Sequence, residues 1–513
     1  MRRIIFILIL IITGICIFIC CQSSSNEKAA AGADSSANSK TSGSNTSGNK
    51  NNYVFNIQFL PTPPKELVLN ATPEQKVSFA WNEFLALNWK SGYRTVGKRD
   101  IPDLSWSYDR DSMPYPDLAL WETYAHRSEL RPGNDHMLPF DNPPHYNYIY
   151  QPIPAPGTSF TLFDNLDENN EIGSCNVYAH VGSYGKELQV LYQAKANREE
   201  YEYLLRNYPT KAQLLAATTN NVNNINADSA YYPGAGTSCN CPPEKKVLCL
   251  PCGGAPIPGG NGQTYTGAME VKTAWRELVP QDDASTFFTR KVIVYAPGPH
   301  GSIFSVNKTY ALIGLHIIHK TQNHPNFVFA TFEHVKVERD DMGYLLLDQH
   351  GNDSGSIQAQ YPRLHPIPAV VDSSTAFVHR LLKKKNPRSI WQYYRLVGVQ
   401  DTPTNDTTSF NFFLANYVVE SDPTLADFHG SGIGTPFNGQ PNSLYQGKFL
   451  SMGGCQGCHG VAQIKFGGDC SFLMDTVDKP VRSPDIGLPG SKLQRYVTAL
   501  RHVEAARLTK SAH

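Results

Sequence analysis

The sequence predicts an α+β chain in which a large strand-rich domain at residues 53–437 precedes a small all-α domain at 438–513. Runs rich in β-branched and aromatic residues, separated by long Pro- and Gly-containing connections, fill the middle of the chain. Capped amphipathic patterns lie among them, and the segment beyond 438 reads as two helices around a short loop. No repeat of fixed period is present, which argues against a propeller or a solenoid. The pattern assigns no named architecture to 53–437.

The elements follow in order. Thr72-Pro73-Glu74 supplies an N-cap and a proline at the first helical position. The helix it opens runs to Trp89, with Phe79, Trp81, Phe84, Leu85, Leu87 and Trp89 giving it a broad buried face. Further helices are predicted at 117–127, 198–206 and 373–385. Strands are predicted at 268–278, 291–295, 310–320, 327–336 and 390–399.

Composition bounds the function. Lys+Arg and Asp+Glu number 45 each, so no global positive field marks a nucleic-acid partner. At 41% hydrophobic and 18% charged residues the bulk is globular and not disordered. Beyond the first twenty residues no apolar run is long enough to cross a bilayer. Those first residues are different. Met1-Arg2-Arg3 is followed by an almost wholly apolar stretch to Cys21, which reads as a lipoprotein-type signal over 1–21 with Cys21 lipidated after cleavage. A retained membrane anchor and a plain cleaved signal are the other readings, and all three place the folded part outside the cytoplasm. Residues 22–52, rich in Ser, Asn, Gly, Ala and Lys, form a disordered tether. The expected location is the cell envelope, lipid-anchored to a membrane and facing the periplasm or the exterior.

One stretch invites a metal reading. His316 and His319 are followed by Glu333 and His334, and two histidines three apart share a helix face. The surrounding isoleucines and the turn Gln322-Asn323-His324-Pro325-Asn326 instead predict paired strands, in which positions three apart point to opposite faces. Ordinary hydrogen-bonded histidines and a metal, haem-contact or catalytic role both stay open here.

The cysteines fall into groups. Cys16, Cys20 and Cys21 belong to the signal. Cys239, Cys241, Cys249 and Cys252 crowd a Gly/Pro-rich loop. In an exported chain they are expected as disulfides, with zinc and redox-active pairs as alternatives. Cys455-Gln456-Gly457-Cys458-His459 is a C-x-x-C-H motif, the attachment signature of c-type haem. The spacing suits thioethers from Cys455 and Cys458 to one porphyrin edge, with His459 projecting beneath the iron as proximal ligand. With 11 cysteines and 16 histidines in the chain, chance predicts roughly 0.007 such motifs. One covalent haem c is therefore expected.

The run Tyr445-Gln446-Gly447-Lys448-Phe449-Leu450 ahead of Cys455 is similar to the first helix of class I cytochromes c. Pro489-Gly490-Ser491 and residues 492–507 read as a capped terminal helix. Together with the motif, these make 438–513 resemble a compact cytochrome c domain. The whole chain also resembles a family of uncharacterised bacterial cytochrome c family proteins. That likeness is carried by Trp81 to Trp89, Leu120-Trp121-Glu122, Glu270 to Trp275, the 314–320 and 330–334 segments, and the terminal haem motif. The family implies no established substrate.

Class I domains usually place a methionine ligand in the loop before the last helix, and 478–489 has none here. Met474 is the nearest candidate for the distal position; His502, Met452, a side chain from the large domain and an open site are the alternatives. The expected function is electron transfer by a membrane-tethered cytochrome, with a redox partner protein or electron acceptor. A haem-dependent oxidoreductase activity of the large domain is left open by the sequence. A surface-binding lipoprotein with a structural haem and a peroxidase-like enzyme with an open distal site are the competing readings.

Overall fold

The computed structural model describes residues 53–130, 137–144, 163–166, 175–181, 188–227, 239–241, 246–297, 303–339, 341–346, 355, 357–359, 366–416, 418–419 and 441–474. The signal with Cys21, the tether, His502 and the helix expected at 492–507 lie outside the described residues. Among the described residues, no helix is long and apolar enough to cross a membrane. The chain is α+β: helices accompany antiparallel sheets.

The helices are α1 (Pro73–Leu87), α2 (Tyr93–Val96), α3 (Arg198–Asn207), α4 (Lys211–Ala227), α5 (Ala369–Lys385) and α6 (Gly454–Phe466). The strands are β1 (Ala125–His126), β2 (Cys175–Ala179), β3 (Leu188–Gln189), β4 (Leu191–Ala196), β5 (Met269–Glu277), β6 (Thr289–Pro297) and β7 (Ile303–His319). They continue with β8 (Val328–His334), β9 (Gly343–Leu346), β10 (Gln358–Ala359), β11 (Tyr394–Gln400), β12 (Ser443–Tyr445) and β13 (Lys448–Leu450).

A seven-stranded antiparallel sheet organises the molecule, in the order β1-β4-β5-β7-β8-β11, with β6 also on β7. The long strand β7 makes this possible. Its residues 310–319 pair with β5 along one edge, while β6 (on 303–311) and β8 (on 314–319) follow each other along the opposite edge. A smaller sheet, β10-β9-β2-β3, shares an apolar cluster with it through Val177, Ala179, Ala274 and Ile313.

Strand alternation divides the residues of the large sheet between two layers. On one face Leu315, Ile317, Val328, Ala330, Phe332 and Leu396 meet α1 and α5. Helix α1 starts where Thr72 accepts from the Gln75 N–H and the Gln75 side chain accepts from the Thr72 N–H, a capping box worth about 1 kcal/mol. Trp81 is fully buried edge-on to Phe332, 4.9 Å between centroids, and its indole N–H donates to Ser374 on α5 at 3.0 Å. On the other face Ala194, Ala196, Ile318, Phe329 and Val397 join Tyr201 and Leu204 of α3, Leu214 of α4 and Cys455 of α6 in a second core.

Three expectations are corrected. The helix predicted at 117–127 is instead two 3-10 turns, Trp121–Thr123 and Arg127–Glu129, around the short strand β1. Tertiary partners take its backbone groups: Arg99 donates to the carbonyls of Thr123 and Tyr124 at 2.8 Å, and the Glu122 carboxylate accepts from the Ala119 N–H. The strand predicted at 390–399 begins as a 3-10 turn, Ile390–Tyr393, before β11. The helix expected around 445–450 is the β12–β13 hairpin. Gln446 and Gly447 both take positive φ, 49° and 74°, the primed two-residue turn that joins tight hairpins. Helix α4 had no sequence signal strong enough to predict it; its Asn-rich end is held by tertiary hydrogen bonds described below.

Candidate functional site

The C-x-x-C-H motif opens α6, which is set into the second face of the large sheet. No side chain of the preceding loop caps this helix. Gln400 at the end of β11 does the work instead, accepting from the Gln456 N–H at 2.9 Å and donating to the Gly453 carbonyl at 3.0 Å. The Cys455 N–H donates to the Leu414 carbonyl at 3.1 Å. Gly454 has φ +76°, and a Cβ there would sit 2.3 Å from the Leu414 nitrogen, so only glycine fits this approach.

The two sides of α6 have different neighbours. Gly457 and Gly460 lie against the hairpin, where an added Cβ would come 2.3 Å from the Met452 and Asn442 carbonyl oxygens respectively. Asn442 fixes that contact by exchanging hydrogen bonds with the Met452 backbone at 2.7 and 3.1 Å. Cys455, Cys458 and His459, at i, i+3 and i+4, share a different helix face. Cys455 and Cys458 lie outside the two disulfides of the described residues, each 9% exposed.

His459 is oriented from outside the helix. Its Nδ1–H donates to the Cys470 carbonyl at 2.7 Å, and its ring lies between Phe329 of β8 (4.7 Å) and Phe472 (4.9 Å). That bond fixes the tautomer and leaves the Nε2 lone pair free as a ligand. Burial holds the ring neutral, with its pKa down at about 3; the charges of Lys272 and His316 push the same way and the Cys470 carbonyl opposes them.

The turn carrying Cys470 is strained and anchored. Gly467 closes α6 in the left-handed region, packed on the Thr218 carbonyl of α4, and Asn221 donates to the Gly467 carbonyl at 2.7 Å and the Leu248 carbonyl at 3.1 Å. Asp469 and Cys470 follow with φ 54° and 65°, two consecutive non-glycine residues in a costly conformation. A buried ion pair with Lys320 and the Leu250 N–H (2.7 Å) hold Asp469, and Asn326 donates to the Cys470 sulfur. Leu250 in turn lies inside the loop closed by the disulfides Cys239–Cys252 and Cys241–Cys249, one nested in the other.

The other sequence candidates divide. His316 and His319 point to opposite sides of β7. His319 pairs with Glu83 of α1 at 2.6 Å and donates to the Thr266 carbonyl, whereas His316 lies on the α6 side and contributes to the field at His459. Glu333 is held by Arg395 at 2.6 and 2.9 Å. His334 donates to the Thr286 carbonyl at 3.0 Å, accepts from the Lys336 N–H, and stacks on Phe287 at 3.9 Å. Met452 is fully buried at the hairpin. Met474 closes a 3-10 turn, buried with Leu473 and Cys470 and 3.4 Å from the position a Gly468 Cβ would take. Among the described residues no group of three or more His, Cys, Asp or Glu side chains is placed to hold a metal ion by itself.

Sequence reading did not find Gln400, Lys320, Asp469 or the Cys470 carbonyl. Each acts across a long stretch of chain and carries no local motif. No protein-family model, curated protein or solved structure matches the chain.

Proposed function

We propose that this chain is an exported c-type cytochrome that passes electrons between a redox partner and a second acceptor. One observation carries the reading: the two motif cysteines stand outside the two disulfides that link four others, on the same helix face as an imidazole whose Nδ1 is tied to the Cys470 carbonyl. These donors fit haem c. Cys455 and Cys458 would hold it covalently and His459 would bind its iron through Nε2; when bound, the group supplies a one-electron couple. Residues 438–513 are read as the cytochrome c-like haem-binding portion, with the hairpin standing where a first helix was expected. Lipidation at Cys21, anchoring in the cell envelope and the absence of a nucleic-acid partner complete the proposal.

The placement of Met474 favours a second reading as well. The turn bearing Met474 is the one whose Cys470 carbonyl holds Nδ1, the ring edge turned away from the iron-binding nitrogen. This supports Met474 as core and leaves the sixth position to another residue or open, as a peroxidase-like enzyme would have it.

The test is a pyridine-haemochrome spectrum of the chain matured with haem-attachment machinery. A c-type spectrum resisting acid–acetone extraction, and lost in the Cys455→Ala/Cys458→Ala variant, is expected. Haem-free protein from a host that loads other cytochromes would refute the proposal. High-spin iron that binds cyanide rapidly would move the reading from carrier to catalyst, whereas a low-spin spectrum unchanged in Met474→Ala would assign the sixth ligand elsewhere.

A further inference from the structure

A buried acidic cluster lies behind the turn that orients His459. Asp469 pairs with the ammonium of Lys320, which follows β7, and Glu200 of α3 lies within electrostatic reach of that pair and of Glu270 on β5. All four are sealed from water, at 5% exposure or less. Carboxylates gathered this closely in a dry interior repel one another, and burial strongly disfavours charging all of them at once. Glu200 is the exceptional member. Among the described residues neither of its carboxyl oxygens has a hydrogen-bond partner, although the side chain is fully buried. Its neighbour Glu199 accepts from the Thr266 and Gly267 N–H groups at 2.9 and 2.7 Å. A buried carboxyl group without a donor is neutral at least cost when it carries its own proton.

We propose that the Glu200–Glu270–Asp469–Lys320 cluster is a redox-linked proton site: one proton enters it from water for each electron that reduces the haem. The inference rests on the haem reading above and deepens it. One electron arrives from the partner or a chemical reductant, one proton binds a cluster carboxylate, and the local charge change is cancelled. The coupling route is short, because Asp469 is bonded directly to Cys470, whose carbonyl accepts the Nδ1–H of His459. Charge on that turn alters the basicity of the imidazole.

The groups around the cluster permit this assignment. Burial, with Glu270 and Asp469 adding to it, raises Glu200 well above the ordinary carboxylate range. Burial raises Asp469 to about 7 against the opposing charge of Lys320. Tyr203 of α3, Tyr208 beyond it and Cys470 also face Asp469, and burial raises all three, so they stay protonated near neutral pH. The exchangeable proton therefore belongs to the carboxylates. Reduction removes a positive charge and favours the protonated cluster, so the midpoint potential falls as pH rises.

Spectroelectrochemical titration of the full-length haem-loaded protein between about pH 5 and 9 tests this. The midpoint is expected to shift near neutral pH with a slope approaching tenfold in the equilibrium constant per pH unit, which is 59 mV for one electron. Glu200→Gln should flatten that slope while the haem spectrum is retained. Infrared difference spectra of the unmodified protein provide a readout independent of any variant's folding: a carboxylic-acid carbonyl band should appear on reduction and shift in heavy water. A flat potential with the haem in place, a slope unchanged in Glu200→Gln, or no such band would overturn the proton site and leave the haem reading standing. Protein without haem in the pyridine-haemochrome assay would remove the basis for both.

Discussion

His334 and His459 are both held neutral by burial, and the contrast between them is in their nitrogens. His459 spends one nitrogen on a carbonyl and keeps the other for a ligand, whereas His334 spends both, on Thr286 and Lys336. His334 is thus a structural residue with a consequence in acid. Burial brings its pKa to about 3 in the folded state, while an unfolded histidine protonates near 6.5. The unfolded chain binds the extra proton between these values. The contribution is therefore complete above about pH 6.5 and is lost as pH falls toward 3, at a cost of about 2–4 kcal/mol. Urea midpoints measured down the acid limb should show this loss, and His334→Gln, which keeps a donor and an acceptor, should show less of it. A second prediction concerns Arg290, which pairs with Glu122 at 2.5 and 2.8 Å in full burial. Arg290→Met should cost about 3–5 kcal/mol by leaving Glu122 beside Asp164 without its cation. Neither network was legible in the sequence, because nothing local links residue 122 to 290 or 286 to 334.

Helix α6 shows how one element satisfies two demands at once. Its glycines let the hairpin backbone approach closely, and its motif side chains take a separate face. Gly460→Ala should destabilise the protein by about 1–3 kcal/mol, because the new methyl group meets the Asn442 carbonyl, which is backbone and cannot swing away. Thermal denaturation checks the size. Haem content per chain, measured in parallel, checks whether the same helix governs loading. The sequence was readable where local chemistry dominates: the Thr72 cap and Pro73 marked α1, and alternating apolar runs marked β5, β7 and β8. It misled where distant groups supplied the hydrogen bonds, as at Trp121–Thr123, and where two residues decided the backbone, as at Gln446-Gly447. The four residues of the loop at 239–252 were legible as cysteines of one cluster, but their nested pairing was not, since spacing alone does not select a connectivity.

At the scale of the molecule, the large sheet separates two cores, and the α6 side is fastened through the disulfide loop. Leu250 links that loop to Asp469, and Asp469 to the turn that holds His459. Reducing the disulfides should therefore do more than lower stability by about 2–4 kcal/mol. It should also loosen the turn, and proton exchange of the His459 Nδ1–H, followed by NMR with and without reductant, should accelerate. Denaturation midpoints under the same two conditions give the stability term. Unchanged exchange would show that the loop braces the fold without reaching the imidazole.

The mixture of oxidised and reduced sulfur in one core sets the terms on which the chain acquires its fold. From residue 175 onward the sequence holds eight cysteines, for which full pairing allows 105 connectivities, yet the described structure contains two disulfides, with Cys455, Cys458 and Cys470 outside them. Before any haem is attached, burial shields these three side chains from oxidants, and in Cys470 it also disfavours the thiolate. An unfolded chain has no such shelter. Haem-free protein denatured with its bridges intact should regain its structure readily, whereas haem-free protein denatured and reduced should become trapped in mispaired forms during oxidation. The route back to the native state thus depends on the closing of the α6 core outrunning the chemistry of its own cysteines.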